Sequence, residues 1–434
     1  MGVYIITIIN FSVLTKPDYV GSVQELYYLD NYPDWMVCKT MPGGSVFDVG
    51  TIFSIPKSDI CRTAIRHKIY TLLESSEEWE KVTKKINSSY VNNSSLIDFL
   101  GKDVLEKFVL KGANTHHLGM IDKDTGEVYK NDFPPTPSQY VLVQKYKIIK
   151  PNRVSYYSNY LWDYSSYYTE DKFVIPLENI VRFGITPASS IYNKYIGLNK
   201  LDKKKYMDEL NLSTDLVPWM RFQTPKVDFT TKYEPEDRNL SLQEAVYISG
   251  NNANNFLNII RMSLLGSFLV SEFFSELGLF LWDMKWEIAR DGDNLVFVDT
   301  IDTDSIRITT KISYKDKFYF VNFNKQAMRD YYKIMHSDWY KATKLAKEEA
   351  KKSGKSFLYH LENGQKNGIF PETPIVDSSF IEIQTEKFEV LLSYIYKKIS
   401  SDNAIGKLSL IGLKEIEYYD YNGKLNEYSK LNGF

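Results

Sequence analysis

At 434 residues the chain is long enough for two or three domains, and with 43% hydrophobic and 25% charged residues it is ordinary globular material able to bury a sizeable core. A formal charge of -2 gives no overall attraction to nucleic acid or to an anionic membrane surface. Two cysteines, Cys38 and Cys61, are too few for a disulfide framework, so a reducing cytoplasm is the simplest setting.

In chain order, the apolar start at residues 3–14 has no basic flank and is too short to cross a bilayer, so it reads as a buried strand. Strand-rich segments broken by Gly and Pro follow, until apolar spacing predicts a helix from Asp59 to about Leu73. Next come a polar stretch at 80–100, a Pro/Asn loop at 131–139, a strand at 140–149 and a Tyr/Ser-rich surface excursion at 151–171. An aromatic platform for bases is conceivable in that excursion, but no basic groove accompanies it. A strand over 172–185 precedes a long helix from Asn254 to Leu277, stopped by Gly278, which feeds a hairpin over 282–300. Residues 324–352 and 383–399 read as helices, and Tyr421-Asn422-Gly423-Lys424 as the turn of a last hairpin.

The hairpin over 282–300 is the most informative stretch. Trp282, Met284, Trp286 and Ile288 alternate with Asp283, Lys285 and Glu287, so one strand face is apolar and the other ionic. Asp291-Gly292-Asp293 turns the chain, and the returning strand ends on Asp299, expected near the start of the first strand. Such a face is either solvated or holds a metal, and alternation alone does not choose between them. Elsewhere the signals are poor. His116-His117 faces two ways in a strand, and His67, His336 and His360 lack nearby ligand partners in sequence. No Walker A loop, nucleophile elbow or dinucleotide fingerprint is present, and Gly43-Gly44 is a tight turn more readily than a phosphate nest.

Several separated segments then add up. In order, YVGSVQELYYL, GGSVFDVG, YVLVQKYKII, IPLENIVRFGITPASS, DFTTKYEPEDRNLSLQEA, GLFLWDMKWEI, VDTIDTDSIR and NKQAMRDY resemble the signature blocks of the SAICAR synthetases, across roughly residues 19–335. The resemblance implies an α+β, two-lobed fold, a β-rich ATP-binding lobe plus an α/β lobe with the active site in the cleft. It implies an ATP-dependent ligase of de novo purine biosynthesis that joins aspartate to carboxyaminoimidazole ribonucleotide through an acyl phosphate. Magnesium accompanies ATP, because phosphoryl transfer needs charge neutralisation and alignment. Lys285, Glu287 and Asp299 would be catalytic, with Glu287 and Asp299 on the metal and Lys285 facing phosphate. Gly21, Ser22 and Gln24 would face ATP together with Lys285. Ser45, Asp48, Arg182, Ser189, Lys232, Asp237, Asp304, Arg307, Lys325 and Arg329 would contact the acceptor and its co-substrate, while Glu178 reads as a structural residue after Pro176.

The same comparison sets the expected boundaries: a nucleotide-binding lobe at 1–175, an acceptor- and metal-binding lobe at 176–340 and an extension at 341–434 packed on the second lobe. Partners would be ATP, carboxyaminoimidazole ribonucleotide and aspartate or analogues, without nucleic acid or membrane, and with a homo-oligomer left open. Four places depart from the family pattern. Gly21-Ser22-Val23-Gln24 stands where Gly-Lys-x-(Arg/Lys) is usual, and Met41-Pro42-Gly43 replaces Thr-Asp-Arg. Asp299-Thr300 replaces an acidic pair, and Ala188-Ser189 replaces Gly-Ser. These departures keep two alternatives in view: a divergent Mg-ATP ligase or phosphotransferase acting on another carboxylate, and a non-catalytic nucleotide-binding homologue.

Overall fold

A computed structural model describes residues 8–433. The architecture is α+β, its strands paired antiparallel and gathered chiefly into a six-stranded and an eight-stranded sheet. The chain begins with β1 (Tyr19–Val20), β2 (Gln24–Leu29), β3 (Tyr32–Thr40) and a small hairpin of β4 (Gly43–Ser45) and β5 (Thr51–Ser54). Helices α1 (Ser58–Leu73), α2 (Ser76–Ser89), α3 (Ser94–Leu100) and α4 (Val104–Lys111) lead to β6 (His117–Ile121), β7 (Val128–Tyr129) and β8 (Tyr140–Gln144). The first sheet has the order β1-β2-β3-β8-β6-β7.

An exposed hairpin, β9 (Asn152–Tyr156) with β10 (Asn159–Asp163), forms the expected surface excursion, though Tyr164 and Tyr167 just beyond it return to the core. The second sheet contains β11 (Lys172–Val174), β12 (Leu177–Gly184), β13 (Arg221–Thr231), β14 (Asn239–Leu240), β15 (Phe280–Asp291), β16 (Asn294–Val298), β17 (Ile306–Tyr314) and β18 (Lys317–Asn322). Its main order is β14-β13-β12-β15-β17-β18, with β11 and β16 alongside the second half of β15. Helices α5 (Ser190–Ile196) and α6 (Lys200–Glu209) separate β12 from β13, and α7 (Leu242–Ile248) and α8 (Ala253–Ser275) precede β15. The C-terminal part is helical: α9 (Gln326–Met335), α10 (Ser337–Ser353), α11 (Phe357–Lys366), α12 (Ser378–Ile395), α13 (Ser401–Tyr421) and α14 (Leu425–Leu431).

One hydrophobic core joins α1, α2, α8, the apolar face of β15 and the tail helices α12 and α13. Helix α8 is long and apolar enough to cross a membrane, but most of it is buried inside the protein. It supports the hairpin directly: Trp286 Nε1 donates to Ser267 Oγ at 2.7 Å, and Gly266 faces the Trp286 and Phe297 rings. Both cysteines are buried free thiols.

Several sequence expectations are corrected. Residues 3–7 of the proposed first strand lie outside the described residues, and beyond them Ile8 makes one bridge to Glu127 before a 3-10 turn at Phe11–Val13. The polar stretch at 80–100 runs from α2 through a turn at 90–93 into α3; Ser75 caps α2, and Trp79, Val82 and Ile86 make a buried stripe that outweighs its polar composition. The helix over 324–352 breaks at His336, where the backbone leaves the helical region between α9 and α10. Residues 383–399 straddle the end of α12. The last hairpin does not exist: Asn422-Gly423 ends α13, with Gly423 at φ 67° and Lys424 N–H donating to Tyr419 O at 2.7 Å. An Asn-Gly pair serves a left-handed helix end as well as a hairpin turn.

Candidate active site

The ionic face of β15 continues across its neighbours. Glu178 on β12 lies opposite Thr230 on β13, Arg182 lies between Lys226 on β13 and Asp283 on β15, and Asp283 lies opposite Arg307 on β17. Matching registers with a period of two put these side chains, Asp228, Lys285 and Glu287 on one face of four strands. All but Lys226 and Asp228 wall a cavity of about 550 Å³, completed by Asp299 and Thr300 after β16, Asp304 and Ser305, Lys325 at the start of α9 and Arg329 within it, and Asp237 and Asn239 beyond β13.

Opposite charges alternate across this wall. Lys285 Nζ lies 2.8 Å from both Glu178 oxygens, Lys232 Nζ is 3.2 Å from Glu178 and 2.5 Å from Glu287, and Glu287 hydrogen-bonds Asp299. Burial alone would raise the Glu178 carboxyl, but Lys285 and Lys232 hold it below the usual range. Glu287 goes the other way: burial and the adjacent Asp299 push it well above that range. Two carboxylates in contact cannot both ionise cheaply, so Glu287 favours its protonated form. Burial would lower the Lys232 ammonium, yet Glu287, Asp299 and Glu178 keep it protonated.

A second cluster surrounds Arg182. Its Nε and Nη2 grip Asp228 at 2.7 and 2.9 Å, Nη1 reaches Asp283 at 3.3 Å and Nη2 also meets Ser190 Oγ at 3.1 Å. The guanidinium expected to hold a nucleotide phosphate is therefore already satisfied by the protein. Arg307 gives only Nη1 to Asp283, at 2.8 Å, and Arg329 makes no ion pair among the described residues. Burial and neighbouring Arg307 lower the Arg329 guanidinium below its ordinary value, as expected for two cations awaiting an anion. Lys325 bonds Asp304 at 3.2 Å, and Arg62 with Lys325 overcomes burial to keep the Asp304 carboxyl low.

Thus Arg182, Lys232, Asp237, Lys285, Glu287, Asp299, Asp304, Arg307, Lys325 and Arg329 converge on the cavity. Asp299 comes back opposite the middle of β15, beside Glu287, because β16 pairs only with residues 287–291 and not with the start of the strand. Ser189 does not reach the cavity lining: it is fully buried and caps α5 through Tyr192 N–H, and the hydroxyl at the cavity is that of Ser190. Ser45 sits in the β4–β5 hairpin, and Asp48 at its tip pairs with Lys347 at 2.6 Å. Gly21, Ser22 and Gln24 form the β1–β2 turn, packed on β5 where Thr51 Oγ1 donates to Ser22 O. Gly43-Gly44 is neither a nest nor a turn: it is strand β4, with Phe53 against Gly44.

Sequence reasoning missed Glu178 as the hub of the wall, Asp228, Ser190 and the buried Arg62–Asp302 pair at 3.1 Å, whose Asp302 accepts from Asp304 N–H at 2.7 Å. Lys226, Asp228, Thr230 and Lys232 alternate as the hairpin residues do, a signal that was there to read. His67 also has a partner that sequence spacing concealed: its Nδ1 lies 2.7 Å from His117 Nε2 in the interior.

The SAICAR synthetase profile matches residues 18–346, three quarters of the chain and every strand of this wall. The chain belongs to the SAICAR synthetase family. It is 30% identical over 239 residues to an Archaeoglobus fulgidus protein provisionally named phosphoribosylaminoimidazole-succinocarboxamide synthase, covering 54% of this chain and 64% of the relative. It is 29% identical over 226 residues to the synthase of that name from Thermoplasma volcanium, covering 51% of this chain and 64% of the relative. The chain therefore spans just under two thirds of the length of these SAICAR synthetase relatives. Among solved structures it is similar to the Saccharomyces cerevisiae SAICAR synthase complexed with SAICAR, at 17% identity and a TM-score of 0.45, covering 90% of this chain and 98% of that one. Helices α11 to α14 fall outside the family match.

Proposed function

We propose that the chain is an ATP-dependent carboxylate–amine ligase that joins aspartate to carboxyaminoimidazole ribonucleotide. The observation that carries this reading is the four-strand ionic wall, in which a carboxylate pair, tethered lysines and two under-paired guanidiniums face one cavity inside the region matched to the family. A carboxylate is a poor acyl donor, so the γ-phosphoryl of ATP would convert it to an acyl phosphate that the amine attacks, and such transfer relies on positioning and charge stabilisation.

The donor set fits a hard divalent cation. Glu287 and Asp299 present carboxylate oxygens to one another, and magnesium is commonly held through one or two carboxylates with phosphates and water completing its shell. Bound there, magnesium would neutralise phosphate charge and restore the ionised form of Glu287. Lys285, 44% exposed, is free to leave Glu178 for the transferring phosphoryl oxygens, while Lys232 holds Glu287 in place. Arg307 and Arg329 would bind the phosphate or carboxylate of the acceptor, Lys325 with Asp304 would flank it, and Arg182 would keep Asp228 and Asp283 in line. Asp237, raised by burial and by Glu178, stands at the mouth where an amine co-substrate would enter. In this reading residues 1–175 carry the nucleotide side of the cleft, 176–340 the acceptor and metal side, and 341–434 an extension packed behind them.

A second reading, a divergent ligase or phosphotransferase with another acceptor, is favoured by one observation. The β1–β2 turn offers no cation at Gly21, Ser22 or Gln24, and nearby Lys39 is paired with Glu25 at 2.9 Å. Product analysis separates the two: the purine intermediate, aspartate and Mg-ATP give ADP and a succinocarboxamide under the first reading, and no new amide under the second.

A further inference from the structure

Asp299 adopts φ 67°, in the left-handed backbone region that Asp enters more readily than most residues with a Cβ. Buried contacts fix it there. Its carbonyl accepts a hydrogen bond from Tyr70 Oη at 2.6 Å, and the His116 ring bonds the same backbone. Tyr70 comes from α1, and His116 is delivered by residues 114–116, which run along β16: His116 N–H donates to Phe297 O at 2.9 Å and Phe297 N–H to Asn114 O at 3.0 Å.

Arg66 explains how the histidine is set. Its Nη2 lies 3.3 Å from His116 Nε2, and a guanidinium can only donate, so Nε2 accepts and the ring proton sits on Nδ1. That leaves Nδ1–H for the Asp299 backbone. Burial and Arg66 hold the ring far below its usual value, so it stays neutral. Arg66 is only 2% exposed and, among the described residues, has no carboxylate partner and leaves Nε and Nη1 without a hydrogen bond. Such a buried cation is costly, and an apolar side chain would pack there more favourably. The contacts it does make are to His116 and the Cys38 thiol of β3, which ties the first sheet to Asp299.

We infer that Tyr70, His116 and Arg66 are positioning residues, a buried mount that fixes the Asp299 peptide so that its carboxylate meets Glu287 and the pair is preformed for a divalent cation. This rests on the metal role proposed for the pair. None of the three lines the cavity. The mount joins α1 and β3, on the nucleotide side of the proposed cleft, to the carboxylate that would hold the metal, so a shift on one side reaches the other through two hydrogen bonds.

The test measures Mn²⁺ binding to the full chain without substrates, by the electron paramagnetic resonance signal of free Mn²⁺, with melting temperature as a check on folding. Tyr70→Phe removes one hydroxyl while its ring stays stacked on His117, so it remains folded even where a histidine variant does not. Tyr70→Phe and His116→Leu are each expected to weaken Mn²⁺ about tenfold, ~1.4 kcal/mol. His116→Asn, whose amide can donate to the same carbonyl, stays closer to wild type. Arg66→Met, which frees the ring to change tautomer, falls between. Wild-type affinity in Tyr70→Phe overturns the inference, as does a His116→Asn chain as weak as His116→Leu. If Asp299→Asn leaves the wild-type Mn²⁺ affinity unchanged, the metal reading itself fails, an outcome recognisable without any change at Tyr70.

Discussion

Two arginines on one wall make the residue-scale logic plain. Arg182 is buried in four hydrogen bonds, so Arg182→Ala strips Asp228 of its arginine and leaves Asp283 with Arg307 alone. It should cost ~3–5 kcal/mol of stability in urea denaturation rather than act on ligand affinity alone. Arg307 keeps donors free, so Arg307→Ala should leave stability nearly unchanged and weaken the acceptor roughly ten- to a hundred-fold by calorimetry, the loss of ~1.5 to 3 kcal/mol expected for a charged hydrogen bond. Equal stabilities for the two variants would refute this division. Asp299→Asn, which hardly changes volume, should abolish magnesium-dependent turnover with the fold intact, and undiminished activity across a magnesium titration would contradict it. Lys285→Ala should abolish turnover, whereas Ser22→Lys should tighten ATP or be neutral, because Ser22 lies in a turn where a cation is usual in the family. Of the ten side chains that converge on the cavity, Lys285, Glu287 and Asp299 were legible from the hairpin pattern and block resemblance together, and the other seven from block resemblance alone. Glu178 was misjudged because its partners, Lys232 and Lys285, are 54 and 107 residues away, and sequence shows no such distance. Ser189 and Ser190 were confused because only backbone geometry tells which hydroxyl caps α5 and which faces the cavity.

At the scale of elements, β15 is the centre: pairing with β12, β17, β16 and β11 makes its two faces a core wall and a site wall. A Cβ at Gly266 of α8 would stand 2.8 Å from the Trp286 ring and 2.9 Å from the Phe297 ring. Gly266→Val should therefore destabilise by ~1–3 kcal/mol through overpacking, read as a lower urea midpoint at an unchanged slope. The contact of α1 with β6 sets a pH dependence. Burial lowers His67 to about 4 from an ordinary 6.5, so its contribution to stability is complete above pH 6.5 and is lost as pH falls through 4. Up to ~3 kcal/mol is at stake, and His67→Gln should flatten the fall in urea midpoint between pH 7 and pH 4.5. The helices and strands of the hairpin region were legible from periodicity. The tail and the polar stretch of α2 were not: Asn-Gly at the end of α13 and a polar helix with a buried stripe each carry a local signal that tertiary packing decides.

For the whole molecule, the C-terminal extension is part of the core and not an appendage. Phe380, Leu391, Leu408, Tyr419 and Tyr428 are buried in the core they share with the second sheet, and Lys387 and Glu415 form a buried pair at 2.5 Å. A chain ended at residue 346, where the family match stops, should expose this surface and fail to give a cooperative thermal transition, whereas a truncated chain with wild-type melting would show the extension to be separable. The tail also sets the wall from behind, since Lys387 Nζ donates to Asn322 O at 2.6 Å just before α9 brings Lys325 and Arg329 to the cavity. The proposed function rests on one chemical claim, that this cavity links an amine to a phosphate-activated carboxylate. The direct measurement is the mass of the product formed from carboxyaminoimidazole ribonucleotide, aspartate and Mg-ATP. The account predicts a succinocarboxamide formed one-for-one with ADP; ATP bound at the cavity but neither ADP nor amide produced would contradict it.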